Sequence, residues 1–355
     1  MEGRRVGALS LAVVTSAALA VTGAGATQAV PTIDGVPRLA HVVIWVLENE
    51  NATATWSPSS PAKYLNSLVP QGAFVPQYYA TGHASLDNYV AMTSGVAGPL
   101  VINTYPDCAG LSLWTCTQEV SLAAHTGNIA DQVEKAGMGW TQYSDGTSAP
   151  CVHAPYAPTA GPDSFQGDSA TPESSTAGPN YADRHVPFLY YADIIGNTAR
   201  CTAHLRPFSD LSADLAAGHL PAYSFITPDT CDDGHDSPCA DGRPGGLITA
   251  DAFLQANLPP LLTYLQANNG LLIITTDEAS TNDLSGCCTG GPLGLRGFGG
   301  RVGLLALGTG VAAGTSSTKQ YDHASLLRTV EDALGIHVHL NNAATAHAMQ
   351  DIWAK

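Results

Sequence analysis

Four stretches of this chain are short, rich in Val, Ile and Leu, and apolar without alternation: 39-LAHVVIWVL-47, 222-AYSFIT-227, 270-GLLIITT-276 and 302-VGLLALG-308. A strand with one wet face alternates polar and apolar residues, whereas an unbroken apolar run belongs to a sheet covered on both faces. All four therefore read as buried parallel strands. Helical periodicity lies between and around them, at 62–69, 86–94, 128–137, 249–269 and 324–335. Pro259 and Pro260 are expected to break or kink the longest of these. Strands alternating with helices predict an α/β fold, a three-layer α/β/α sandwich with a mainly parallel central sheet. The stretch 145–185 is rich in Ser, Thr, Pro, Ala and Gly, with Cys151 near its start and Cys201 on its far side. It reads as a stapled surface excursion of one domain spanning 30–355.

The first 29 residues read differently. Arg4 and Arg5 precede an apolar run from Val6 to Val21, and small residues follow, with Ala24-Gly25-Ala26 and Ala26-Thr27-Gln28-Ala29 as cleavage candidates. That is the pattern of a secretory signal, and it predicts an extracellular protein without a stable membrane anchor. Export makes the 8 cysteines candidates for disulfides. Cys108 with Cys116 and Cys231 with Cys239 are the short-range pairings. The adjacent Cys287 and Cys288 are expected to find different partners. A formal net charge of −16 excludes nucleic acid as a partner, because no basic surface is available for phosphate backbones.

In open α/β sheets, ligands gather beyond the carboxyl ends of the strands. Glu48 and Asn49 follow the first run, 228-PDTCDDGHD-236 the second, and Asp277 and Glu278 the third; Tyr321-Asp322-His323 comes a loop after the fourth. Each tip taken alone reads equally as a solvated turn. Together they converge oxygen and imidazole ligands suited to a divalent cation such as Zn²⁺, Ca²⁺, Mg²⁺ or Mn²⁺. The stretch 79-YATGHASLDNYVAMTSG-95 adds Ser85 just ahead of a helical pattern. Its hydroxyl could cap the free N–H groups there. The same helix N-terminus also suits an anion, and a serine beside a metal is a nucleophile. Asn88, one turn on, could direct its amide to the same anion.

The segments 41-HVVIWVLEN-49, 82-GHASLDNYVAMTSG-95, 184-RHVPFLYY-191, 228-PDTCDDGHD-236, 275-TTDE-278 and 321-YDHASLLRTVEDALG-335 occur in an order that resembles a known family. It is that of the secreted bacterial phosphoesterases, which include phospholipase C enzymes and acid phosphatases within the alkaline phosphatase superfamily. Within it the chain looks most like the secreted acid phosphatases of mycobacteria. The resemblance implies an alkaline-phosphatase-like fold and roles by position. Glu48, Asn49, Asp277, Glu278 and Asp236 would hold the metal. Ser85 would be the nucleophile, and His235 or His323 would protonate the leaving alcohol and activate water. Asn88, His83 and His185 would contact the substrate. Ala84 and Asp87 depart from a family pattern that carries prolines at both places.

The resulting expectation is a secreted, metal-dependent phosphoric-ester hydrolase. A phosphomonoesterase acting on a small phosphorylated substrate comes first, with carboxylates and histidines setting the acid limb of its activity. A phospholipase C type, releasing a lipid head group, is the alternative. A secreted binding protein that kept the fold without the catalysis is the non-enzymatic one.

Overall fold

His41–Leu47 (β1) sits in the middle of an eight-stranded sheet, and its neighbours explain its composition. Val42, Ile44 and Val46 enter one hydrophobic cluster, while Val43, Trp45 and Leu47 enter another on the opposite face. Successive side chains leave a strand on opposite sides, so a strand buried on both faces must be apolar throughout. A computed structural model of the chain describes residues 1, 3, 32–96, 127–152, 180–288 and 298–355. Pro31–Lys355 forms one compact unit. The expected signal segment, Cys108, Cys116 and most of the expected excursion lie outside the described residues.

The other strands are Ala73–Val75 (β2), Trp140–Ser144 (β3), Leu205–Pro207 (β4), Tyr223–Thr227 (β5), Gly270–Thr276 (β6), Leu304–Gly308 (β7) and Thr315–Ser316 (β8). They lie in the order β8-β2-β7-β6-β1-β5-β3-β4. The block β6-β1-β5-β3-β4 is parallel throughout. One expectation fails: β7 runs antiparallel to both β6 and β2. The described part of the connection from β6 to β7 contains no helix. A parallel return needs a crossover, usually helical, whereas an antiparallel return does not. Strands β2, β3 and β4 carry too much polar sequence, or are too short, to show the unbroken apolar signature.

Helices cover both faces. On one side lie Ser85–Ser94 (α2), Ile129–Lys135 (α3) and His323–Leu334 (α6), with Leu86, Ile129, Leu326 and Val330 in the cluster. On the other lie Lys63–Leu68 (α1), Asp210–Ala217 (α4) and Gly246–Ala267 (α5). Pro259 and Pro260 do not end α5, which runs through both as one element. Its buried residues Leu247, Leu254, Leu258, Leu261 and Leu265 keep helical spacing across the prolines, and both prolines are exposed. The carbonyls of Gln255 and Ala256 lose their helical donors there, and both residues are solvent-exposed, where water can replace them. Burial of the leucine stripe decides the outcome. Among the described residues, no helix is long and apolar enough to cross a membrane.

The pairs Cys151–Cys201 and Cys231–Cys239 are disulfides. Cys287 and Cys288 pair with each other, contrary to expectation. The other described cysteines are already paired with one another, and Cys287 is buried against the Tyr321 carbonyl.

Candidate active site

The carboxyl ends of β1, β5 and β6 and the N-terminus of α2 meet at one edge of the sheet. Ladder-like bonds continue past the strands and fix the tips. Glu48 N–H donates to the Asp233 carbonyl at 3.0 Å, and Asp277 N–H to the Leu47 carbonyl at 3.0 Å. Asn49 takes a left-handed backbone (φ 58°), which asparagine tolerates, and its N–H donates to Asp277 Oδ1 at 3.1 Å. The Glu278 N–H donates to the same oxygen at 2.6 Å.

Ser85 is the first residue of α2, following Ala84 as N-cap. Its hydroxyl does not act as the helix cap; it donates to Glu48 Oε1 at 2.8 Å. The serine is 4% exposed. Asn88 shapes the approach to it. Its Oδ1 accepts from Thr81 and Gly82 N–H at 2.8 and 3.1 Å, and its Nδ2 donates to Glu278 Oε2 at 2.7 Å. The amide expected to face substrate is therefore engaged with the protein. A Cβ at Gly82 would lie 2.8 Å from Asp87 Oδ2, so that carboxylate would have to shift to admit one.

Glu48, His185 and Asp233, all buried, form one group, with one ligand atom from each lying within 4.8 Å of the others. His185 Nε2 is 2.5 Å from Glu48 Oε2, and its Nδ1 is 3.3 Å from Asp233 Oδ2. These atoms approach without well-formed hydrogen bonds: Glu48 Oε2, Asp233 Oδ2, Asp277 Oδ2 and both His185 nitrogens are buried with no hydrogen-bond partner of proper geometry. Buried polar atoms are otherwise nearly always paired. Gln142 on β3 holds His185 from behind, donating to its carbonyl at 2.9 Å.

The electrostatics agree. Burial pushes the Asp233 and Asp277 carboxyls well above the usual carboxylate range, and the Glu48 charge adds to it. Burial acts on Glu48 in the same direction, but His185, Arg184 and His235 outweigh it and hold Glu48 well below that range. Burial lowers His185 to about 4, which leaves a neutral imidazole with a lone pair to offer. Three buried carboxylates that cannot all ionise together, beside a neutral histidine, are a donor set that fits a divalent cation.

The remaining expected residues lie around this cluster. Asp236 is not drawn into it; its Oδ2 accepts from Thr230 at 2.8 Å, and its Oδ1 pairs with His235 Nδ1 at 2.9 Å. The Glu48 charge, against the effect of burial, raises His235 to about 9, and its ring is partly exposed. His323, expected as a catalytic group, is fully buried and has both nitrogens engaged, Nε2 with the Asp277 carbonyl at 2.7 Å and Nδ1 with the Tyr78 hydroxyl at 2.8 Å. A carbonyl only accepts, so Nε2 carries the proton and His323 braces the Asp277 backbone. Burial lowers it to about 4. His83 Nε2 donates to the Asp283 carbonyl at 3.1 Å. Sequence reasoning missed Asp233 and Arg184. Both stood in the quoted segments, beside residues that were chosen. Arg184 lies 3.4 Å from Glu48 Oε1 with 2% of its side chain exposed.

A model of the Phosphoesterase family matches residues 40–337. A Mycobacterium tuberculosis phosphatidylinositol-3-phosphatase is 26% identical over 347 residues, 98% of this chain and 94% of its own length. A Kluyveromyces lactis protein named a probable acid phosphatase is 25% identical over 315 residues; the match covers 87% of this chain and 62% of that protein. Among solved structures, a Vibrio parahaemolyticus protein in the alkaline phosphatase superfamily superposes with a TM-score of 0.51 at 15% identity, covering 91% of this chain and 74% of its own. That likeness concerns the fold.

Proposed function

The chain belongs to the Phosphoesterase family, and from that premise we propose that it is a secreted, metal-dependent phosphoric-ester hydrolase, foremost an acid phosphomonoesterase acting through Ser85. The observation that carries the reading is the Ser85 hydroxyl. It stands at the first position of a helix and donates to Glu48 Oε1 inside the carboxylate–histidine cluster. A serine that only capped the helix would turn its oxygen to backbone N–H groups.

Glu48, His185, Asp233 and Asp277 would hold the cation. A bound divalent cation supplies positive charge that acidifies a nearby hydroxyl and neutralises phosphoryl oxygens. The chain's own groups do the rest. Glu48 Oε1 orients the Ser85 hydroxyl, takes its proton as Oγ attacks, and returns it to Oγ when the phosphoserine is hydrolysed. Oγ forms the new bond to phosphorus as the bond to the leaving oxygen breaks, giving a phosphoserine. The N-terminal amides of α2 face the anion and stabilise its developing charge. His235, kept protonated by Glu48 and held at Nδ1 by Asp236, supplies the proton to the leaving alcohol. It then takes one from the water that releases phosphate. His323 keeps Asp277 in place. Export is supported by the leader-like first residues and by the paired cysteines.

The test is one assay of the purified protein on p-nitrophenyl phosphate, bis-p-nitrophenyl phosphate and p-nitrophenylphosphorylcholine, with and without EDTA and metal add-back. Monoester turnover that EDTA stops, and that Ser85→Ala lowers by about a thousandfold or more, is expected. Release chiefly from the choline diester would replace the monoesterase by a phospholipase C. Full turnover in Ser85→Ala would remove the nucleophile.

A further inference from the structure

Arg184 is buried beside the nucleophile. It sits in a short helical turn, Asp183–His185, which its own backbone hydrogen bonds and the side chain of Gln142 hold in place. Its Nη2 donates to Glu48 Oε1 at 3.4 Å, the same oxygen that accepts from the Ser85 hydroxyl at 2.8 Å. One carboxylate oxygen therefore separates the guanidinium from the nucleophile. Ser85 is as withdrawn from solvent as Arg184, so a phosphoryl group that reaches the one is brought close to the other. Ion pairs elsewhere in the fold are shorter and wetter. Arg200 meets Asp131 and Glu134 at 2.7 and 2.9 Å with 14% of its side chain exposed, and Arg206 meets Asp214 at 2.6 Å with 28% exposed. Arg184, at 2% exposed, carries the charge that costs most to bury, and its contact with Glu48 is longer than any of these. A long contact by itself offsets little of that cost. A fixed positive charge is also a poor neighbour for a cation site, because it repels the ion that Glu48, Asp233 and Asp277 would hold. An anion bound between the two positive charges offsets both penalties.

We propose that Arg184 is a specificity-determining residue that grips the phosphoryl group at Ser85 and selects phosphomonoesters over diesters. The inference rests on the metal-dependent hydrolase reading above. A guanidinium presents a planar fork of N–H donors that matches two phosphoryl oxygens at once. A phosphomonoester loses its second proton at a pKa of about 6 and then carries close to two negative charges, whereas a diester carries one. At equal distance, a single guanidinium attracts the dianion twice as strongly. Its charge persists at every working pH and does not depend on the cation. Arg184 thus supplies a preference for the doubly charged group that the carboxylates and the neutral His185 cannot supply.

The experiment compares the full-length wild type with Arg184→Gln, Arg184→Met and Arg184→Lys at about pH 7.5, where the monoester is doubly ionised. It measures kcat/KM on p-nitrophenyl phosphate and bis-p-nitrophenyl phosphate, affinity for inorganic phosphate by calorimetry, and bound metal by elemental analysis after dialysis. Arg184→Met removes the charge with an apolar chain suited to a buried site, so an uncharged variant remains if Arg184→Gln does not fold. Each uncharged variant should lose about a hundredfold on the monoester and, for half the charge, about tenfold on the diester. Each should bind phosphate about tenfold or more weakly and keep at least as much metal as the wild type. Arg184→Lys should keep the monoester preference. Equal losses on both esters would overturn the selectivity, as would a wild type that prefers the diester, and either result leaves a hydrolase standing. Loss of metal in the uncharged variants would overturn it too, by showing that Arg184 only supports the carboxylates. A wild type silent on both esters would remove the hydrolase reading and the selectivity with it, and unchanged phosphate affinity in the variants would remove the grip on the phosphoryl group.

Discussion

Three acidic residues within five positions show how much a side chain's fate depends on its direction. Asp232 turns to Arg243. Asp236 turns to Thr230 and His235. Asp233 points inward to Glu48 and His185. In the sequence the three look alike, and the choice of Asp236 as a ligand rested on a resemblance by position. Asp233→Asn should therefore lower bound divalent metal about tenfold or more, whereas Asp236→Asn should leave it near wild type, as read by elemental analysis after dialysis. The reverse result would return the ligand role to Asp236. Glu48 and Asp277 were legible because each directly follows a strand that the sequence marks clearly. Ser85 was legible as a position, and only its hydrogen bond to Glu48 separates attack from capping.

Among the elements, α6 combines His323 at its start with Glu331 near its end. Glu331 is 0% exposed, and its Oε1 accepts from the Leu340 N–H at 2.9 Å. Burial pushes its carboxyl up to about 8, with Asp332 adding to the effect and Arg328 opposing it. A raised pKa means that the folded state favours the protonated acid. The contribution is complete below the unfolded value of about 4.5 and is lost as pH rises through about 8. Stability should fall across that window. Glu331→Gln keeps the acceptor for Leu340 and should flatten the fall, gaining on the order of 1–3 kcal/mol at pH 8 in denaturant melts. A variant that followed the wild-type pH curve would show that Glu331 ionises freely in the fold. The prolines of α5 make a related point about elements. Local propensity argued for a break or a kink, and a stripe of buried leucines spanning both sides of Pro259 and Pro260 kept the helix from breaking.

For the molecule as a whole, the doubly covered sheet was readable from four apolar runs, because burial on both faces leaves no other composition. Strand direction was not readable. Nothing in 302-VGLLALG-308 distinguishes an antiparallel β7 from a parallel one; the connection decides it. Trp140–Ser144 is buried yet reads WTQYS: Gln142 Nε2 serves the His185 carbonyl, Thr141 bonds the Trp140 carbonyl and Tyr143 bonds Asp214. Cys151–Cys201 closes a loop with a sequence separation of 50. The double variant Cys151→Ser, Cys201→Ser should lose about 2–4 kcal/mol of stability, with a lower melting temperature that reductant lowers no further through this pair. An unchanged melting temperature would mean that the bridge constrains nothing.

The two outermost strands carry a consequence for crowded solution. An open sheet invites another chain to add itself along an unpaired rim, the first step of many aggregates. Here one rim is β8, only the two exposed residues Thr315–Ser316. The other is β4, where the Leu205 carbonyl already accepts from Cys151 N–H and Pro207 has no N–H to offer. Among the described residues, neither rim presents a long run of free donors and acceptors, so a foreign strand finds little to pair with along either one.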